Sequence, residues 1–173
     1  MSLQIRLYPD PALRARSEPI ERIDEEIRSL ADDMVETLIK RVGYGLAAPQ
    51  VGVAQRLIVV DVDEKLYVLA NPEIVEMSEE RVLGIEGCLS LPGIETGVER
   101  AKRVTVEGLT LDNGRISIEA ESLLARVFQH EVDHLNGILF IDHLGLAKRQ
   151  FLLKEYEKLK GKPRTKERQR ALL

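Results

Sequence analysis

Gln129-His130-Glu131-Val132-Asp133-His134-Leu135-Asn136-Gly137 is the stretch whose reading decides the fold. Residues four apart lie on one face of a helix, one turn above the other. Both imidazoles can therefore reach one metal ion with no loop to order. Glu131 projects beside that face, close to a water on the same ion. Two ligands and one proton carrier make the H-E-x-x-H arrangement. Leu123 and Val127 precede the histidines at helical spacing, so an apolar stripe runs straight into them and turns them inwards. The pattern predicts a helix over residues 120–136, with Gly137 past its end.

Upstream of this helix the signals alternate between hairpins and turns. Residues 56–62 are rich in β-branched side chains and read as a strand, with residues 65–70 as the hairpin partner across Asp63-Glu64. Asn71-Pro72 is expected to end that pair, and residues 73–77 to start another strand. Residues 104–111 and 115–119 form a second hairpin around Asn113-Gly114. Further upstream, Ile23, Ile27, Leu30, Met34 and Leu38 mark one stripe of an amphipathic helix. Asp24 suits its N-cap, Glu25 and Glu26 its first turn, Lys40 and Arg41 its last, and Gly43 its stop. Residues 145–160 predict a third helix. Hairpins joined directly to one another indicate α+β rather than alternating βαβ units. The expected architecture is antiparallel sheets packed around a central helix carrying the H-E-x-x-H motif, with an N-terminal and a C-terminal helix. Residues 1–160 would form one catalytic domain. Residues 161–173, with Pro163, many basic side chains and no apolar periodicity, would form a loose basic tail.

The whole chain bounds what such a helix could serve. A length of 173 residues suits one core-forming domain with a tail. A net charge of -4 argues against a protein built around DNA. No apolar run reaches the roughly 20 residues needed to cross a bilayer. One cysteine, Cys88, cannot make an internal disulfide, and a reducing cytoplasm is the expected compartment.

A catalytic zinc-type site takes three protein ligands and leaves one position for water. A third histidine six residues after the second is excluded, because Phe140 stands there and His143 lies three residues too far on. A glutamate about a helix and a half downstream is open, with Glu155 or Glu157 in range. Cys88, brought in from the loop side, is also open, since a thiolate binds Zn²⁺ or Fe²⁺ strongly.

Three stretches together resemble the signature motifs of peptide deformylase. They are Gly43-Tyr44-Gly45-Leu46-Ala47-Ala48-Pro49-Gln50, Glu86-Gly87-Cys88-Leu89-Ser90 and Gln129-His130-Glu131-Val132-Asp133-His134, in the family's order. The resemblance covers residues 5–156. Tyr44 is the one departure, where the family more often has an aliphatic residue. The resemblance implies that Cys88, His130 and His134 bind one divalent metal, Fe²⁺ by expectation, with Zn²⁺, Ni²⁺ or Co²⁺ as alternatives. It implies hydrolysis of the formyl group from the N-formylmethionine of nascent peptides, with Glu131 carrying the proton. Gln50 and the Leu89 N–H would stabilise the oxyanion. Gly43, Tyr44, Gly45, Glu86, Gly87 and Val127 would line the substrate, and Arg100 would lie near its main chain. The family works at the ribosome, so the basic tail could touch RNA. A monomer is expected. A zinc peptidase using Glu155, and a deformylase-like binding protein without turnover, are the competing readings.

Overall fold

The computed structural model describes residues 1–160. Its order is α1 (Glu25–Arg41), β1 (Gly45–Ala47), β2 (Leu57–Val62), β3 (Lys65–Met77), β4 (Arg81–Gly87), β5 (Glu95–Ala101), β6 (Arg103–Leu109), β7 (Arg115–Glu121), α2 (Ser122–Leu135) and α3 (Leu146–Leu159). Short 3-10 turns occupy Pro11–Leu13, Ala48–Val51 and Phe140–His143. The expected basic tail, residues 161–173, lies outside the described residues. Among the described residues, no helix is long and apolar enough to cross a membrane.

The strands form a five-stranded antiparallel sheet in the order β1-β2-β3-β6-β7 and a separate β4-β5 hairpin. The α+β architecture expected from the sequence is thus present. Leu57, Ile58, Val59 and Val60 explain why the large sheet needs a helix on each face. All four are completely buried. Leu57 and Val59 pack with Ile27, Ala31, Met34 and Leu38 of α1, while Ile58 and Val60 pack with Ala125, Val127, Phe128 and Val132 of α2. Successive strand residues point to opposite faces, so a continuous apolar run is what a doubly covered strand requires. Asp63 and Glu64 turn β2 into β3 with φ of 52° and 61°, the backbone of a type I′ turn.

Several sequence expectations are corrected. Asn71-Pro72 does not end β3. The strand runs on and exchanges its partner there, from β2 to β6, across a register shift between Ala70 and Glu73. The missing N–H of Pro72 falls where pairing is already interrupted. The stretch 43–50 holds a strand that the sequence reading did not include. Gly45–Ala47 pairs with β2 as the edge strand of the sheet. Strands β4 and β5 were not anticipated as a pair. The stop of α1 is Val42, in a left-handed conformation at φ 56°, rather than Gly43. The β6–β7 turn spans residues 110–114, longer than the two-residue turn that Asn113-Gly114 suggested.

α2 is the centre of the molecule: ten of its fourteen residues are buried. Its polar residues dock it. Gln129 copies a β-ladder against β5, accepting from the Ala101 N–H at 3.0 Å and donating to the Ala101 carbonyl at 2.9 Å. Arg126 donates to the carbonyls of Val82 and Val98, both at 2.7 Å, and ties the β4-β5 hairpin to the helix.

Candidate metal centre

Three elements deliver the site. α2 supplies His130 and His134, the loop after β4 supplies Cys88, and the 3-10 turn after β1 supplies Gln50. Cys88 Sγ lies 3.4 Å from His134 Nε2, and the two Nε2 atoms lie 3.2 Å apart. The three buried side chains form a group whose donor atoms all fall within 4.8 Å of one another. Bond lengths of roughly 2.05 Å to nitrogen and 2.3 Å to sulfur put tetrahedral ligand atoms about 3.3–3.6 Å apart. The spacing therefore fits one cation.

The protonation chemistry fits it too. Burial pushes the Cys88 thiol up to about 12, only partly opposed by backbone hydrogen bonds from Ser90 and Leu91. A thiolate at this position needs a cation beside it. Burial also holds His134 well below its usual range, with His130 and Arg100 adding to the effect, so its ring stays neutral. His130 is oriented from behind: its Nδ1 lies 2.8 Å from Glu86 Oε1, which leaves Nε2 with its lone pair towards Cys88 and His134.

Glu131 is, with Ser17 Oγ and His134 Nδ1, one of the exceptions in this well-paired interior. It is completely buried, and neither carboxylate oxygen has a hydrogen-bond partner among the described residues. Burial, with Glu86 nearby, raises its proton affinity well above the usual carboxylate value. Gly45 makes room for it. A Cβ on Gly45 would lie 2.4 Å from Glu131 Oε1, so β1 approaches the carboxylate only because position 45 has no side chain. Gln50 is also fully buried. The Ala47 N–H donates to Gln50 Oε1 at 2.9 Å, which turns the amide nitrogen towards Ser90 Oγ at 3.1 Å and Cys88 Sγ at 3.6 Å. Leu89 follows Cys88 and packs by its side chain near Gly43.

Two residues expected near the substrate, Glu86 and Arg100, are paired with each other. The Arg100 guanidinium is buried and grips Glu86 side-on, with Nε and Nη2 each 2.8 Å from a carboxylate oxygen. Glu86 also accepts from Arg126 at 2.7 Å. Burial opposes its ionisation, but the bonds from Arg100 and His130 win and hold it well below the usual carboxylate range. The two charges neutralise each other inside the fold. Tyr44 and Val127 do share one apolar cluster, and Gly87 is buried at the end of β4. The stripe through Leu123 is only partly right, because Leu123 is exposed. Glu155 and Glu157 face Lys158 and Lys160 on the surface of α3, away from the histidines, which removes the peptidase ligand set.

Arg126 and Asp133 went unnoticed in the sequence. Arg126 stands one turn before His130, at a helical position that buries it, and that spacing was the available signal.

The comparisons agree with this geometry. The family profile described as polypeptide deformylase matches residues 2–150. A peptide deformylase of Thermodesulfovibrio yellowstonii is 48% identical over 160 residues, covering 90% of this chain and 96% of its own. The crystal structure of peptide deformylase from Ehrlichia chaffeensis in complex with actinonin superposes with a TM-score of 0.89 at 41% identity, covering 94% of this chain and 100% of that one. A Met-Ala-Ser-bound peptide deformylase from Acinetobacter baumannii gives a TM-score of 0.81 at 37% identity, covering 83% of this chain and 99% of that one.

Proposed function

The chain belongs to the peptide deformylase family, and from that membership we propose how its own residues divide the removal of the N-formyl group from nascent peptides. It is a hydrolase: water adds across the formyl amide, and formate and a free methionine amine leave. The convergence of Cys88 Sγ, His130 Nε2 and His134 Nε2 beside a Glu131 with no partner among the described residues is the observation that carries the assignment of roles.

Cys88, His130 and His134 hold the metal, which we take to be Fe²⁺. Such an ion supplies Lewis-acid polarisation of a carbonyl and makes a nearby water more acidic. Glu131 removes the proton from the attacking water and later delivers it to the leaving nitrogen. A carboxylate with raised proton affinity is suited to both transfers near neutral pH. The Gln50 amide, already turned by Ala47, donates to the developing oxyanion, with the Leu89 N–H as the second donor. Gly43, Tyr44 and Gly45 bring the substrate main chain against the edge strand β1, and Gly87 lets it pass β4. Tyr44, Val127 and the methylenes of Glu86 wall the methionine side chain. The peptide in the Acinetobacter relative, Met-Ala-Ser, is of the kind this reaction leaves.

Residues 1–160 act as one catalytic unit, and one chain suffices because every proposed group comes from it. We place the protein in the cytoplasm, where Cys88 stays reduced, and assign any ribosome contact to the basic residues 161–173. Formate release from formyl-Met-Ala-Ser, with elemental analysis of anaerobically prepared protein, tests the reading. One iron per chain and activity lost on exposure to air are expected. No formate release by metal-loaded protein would overturn the activity; full activity and metal retained in Cys88→Ala would overturn the ligand set.

A further inference from the structure

The charges behind His130 do not end at Glu86. Arg100 spends Nε and Nη2 on that carboxylate, and its remaining nitrogen, Nη1, points outwards to Asp133 Oδ2 at 2.6 Å. His143 Nε2 lies 2.8 Å from the same oxygen and 3.1 Å from Nη1. One imidazole nitrogen cannot both donate to the carboxylate and accept from the guanidinium. The shorter contact, to an anionic oxygen, makes Nε2 an N–H donor to Asp133. Asp133 Oδ2 is thus held from two sides, and it fixes the outer arm of Arg100. Here the network meets water: the side chains of His143 and Asp133 are 34% and 20% exposed, against 4% for Arg100 and 0% for Glu86. The turn Phe140–His143 also touches His130 directly, since the Phe140 ring stacks on it at 6.2 Å with 23° between planes.

We propose that His143 is a positioning residue for the metal centre: through Asp133, Arg100 and Glu86 it fixes the ring of His130, which it does not touch. The inference rests on His130 being a ligand. Without the imidazole donor, Asp133 can swing towards solvent and take Nη1 with it. Arg100 then rotates on Glu86, and the 2.8 Å contact to His130 Nδ1 loses its direction.

The test uses the full chain loaded with Co²⁺, comparing wild type with His143→Ala and His143→Gln. Glutamine keeps an N–H donor for Asp133, and alanine does not. His143→Ala is expected to release Co²⁺ to a chelator about 3–10-fold faster, below the loss from removing a direct partner of a ligand. Its visible absorption bands should shift, and kcat should fall several-fold with KM unchanged. His143→Gln should restore all three. A wild-type release rate and spectrum in His143→Ala would overturn the proposal. So would a raised KM with kcat intact, or a glutamine variant no better than alanine when both unfold at the same lowered temperature. Wild-type protein that takes up no Co²⁺ would remove the metal-site reading itself, a failure separable from the others.

Discussion

α2 meets two neighbours that treat a buried glutamate in opposite ways. Towards the β4-β5 hairpin, Glu86 is clamped by Arg100, Arg126 and His130 and stays ionised. Towards β1, Glu131 faces a glycine, has no hydrogen-bond partner among the described residues and has its proton affinity raised by burial. Both side chains are completely buried, so burial alone does not decide what a carboxylate does. Pairing decides it. The paired side makes a scaffold that orients a ligand. The unpaired side keeps a carboxylate whose proton can move.

Exchanging charge for amide on the unpaired side should produce the largest effect. Glu131→Gln keeps the volume and removes the base. A fall in kcat of about 10²–10⁴-fold is expected, with metal content unchanged by elemental analysis. A fall of less than tenfold would mean that another group carries the proton.

The same exchange on the paired side should damage structure instead. Glu86→Gln leaves Arg100 and Arg126 facing a neutral amide in a site closed to water. Breaking a buried ion pair from one side costs about 3–5 kcal/mol, to be read from urea unfolding. The orientation of His130 should loosen as well, weakening metal retention about 10–100-fold. A variant as stable as wild type would show that the arginines find other partners.

A third exchange tests the space that leaves Glu131 unpaired. The added methyl of Gly45→Ala would meet the Glu131 carboxylate. One of the two must move, and displacement of a reacting group by about 1 Å can cost up to about 10²-fold. We expect a loss of about 10–100-fold in kcat, with a thermal unfolding temperature close to wild type. Unchanged kcat would place the reacting carboxylate elsewhere.

The two sides were not equally legible in the sequence. On the unpaired side, Gly45, Gln50 and Glu131 lie in two local motifs, and local spacing is what a sequence displays. On the paired side, the polarity of β4 is inverted. Leu83 and Ile85 are exposed, while Glu86 on β4 and Arg100 on β5 are buried. A period-two reading takes charges as solvent-facing, so it finds neither the strand pair nor the true setting of Arg100. Their burial makes sense only once Glu86, Arg100 and Arg126, from three separate elements, are seen to neutralise one another. β1 was hidden for another reason. Three residues, Gly45–Ala47, ending two positions before Pro49, look like a connection until β2 is there to pair with them. The helices, by contrast, carry their own period and caps, and Asp24 caps α1 through the Ile27 N–H at 3.0 Å as its position suggested.

The smallest expected effect is a matter of sign, and it separates the two glutamates in the metal-free chain. Glu86 has its folded value below the ordinary 4.5. The unfolded chain therefore takes up protons first, and the stability Glu86 contributes is complete above about pH 4.5 and lost as the pH falls below it. Glu131 has its folded value above 4.5. The folded chain then holds the extra proton, and stability declines as the pH rises from 4.5 towards that folded value. Glu131→Gln abolishes only the second limb, so the difference between variant and wild type isolates this one group from Cys88 and His134. Thermal unfolding of both metal-free proteins between about pH 5 and 8 should show the gap widening in favour of the variant, by a few degrees at the upper end. Parallel curves would mean that Glu131 ionises freely in the folded chain and that water reaches it. It would then be no more a poised base than any surface carboxylate, and the contrast with Glu86 would reduce to one ion pair.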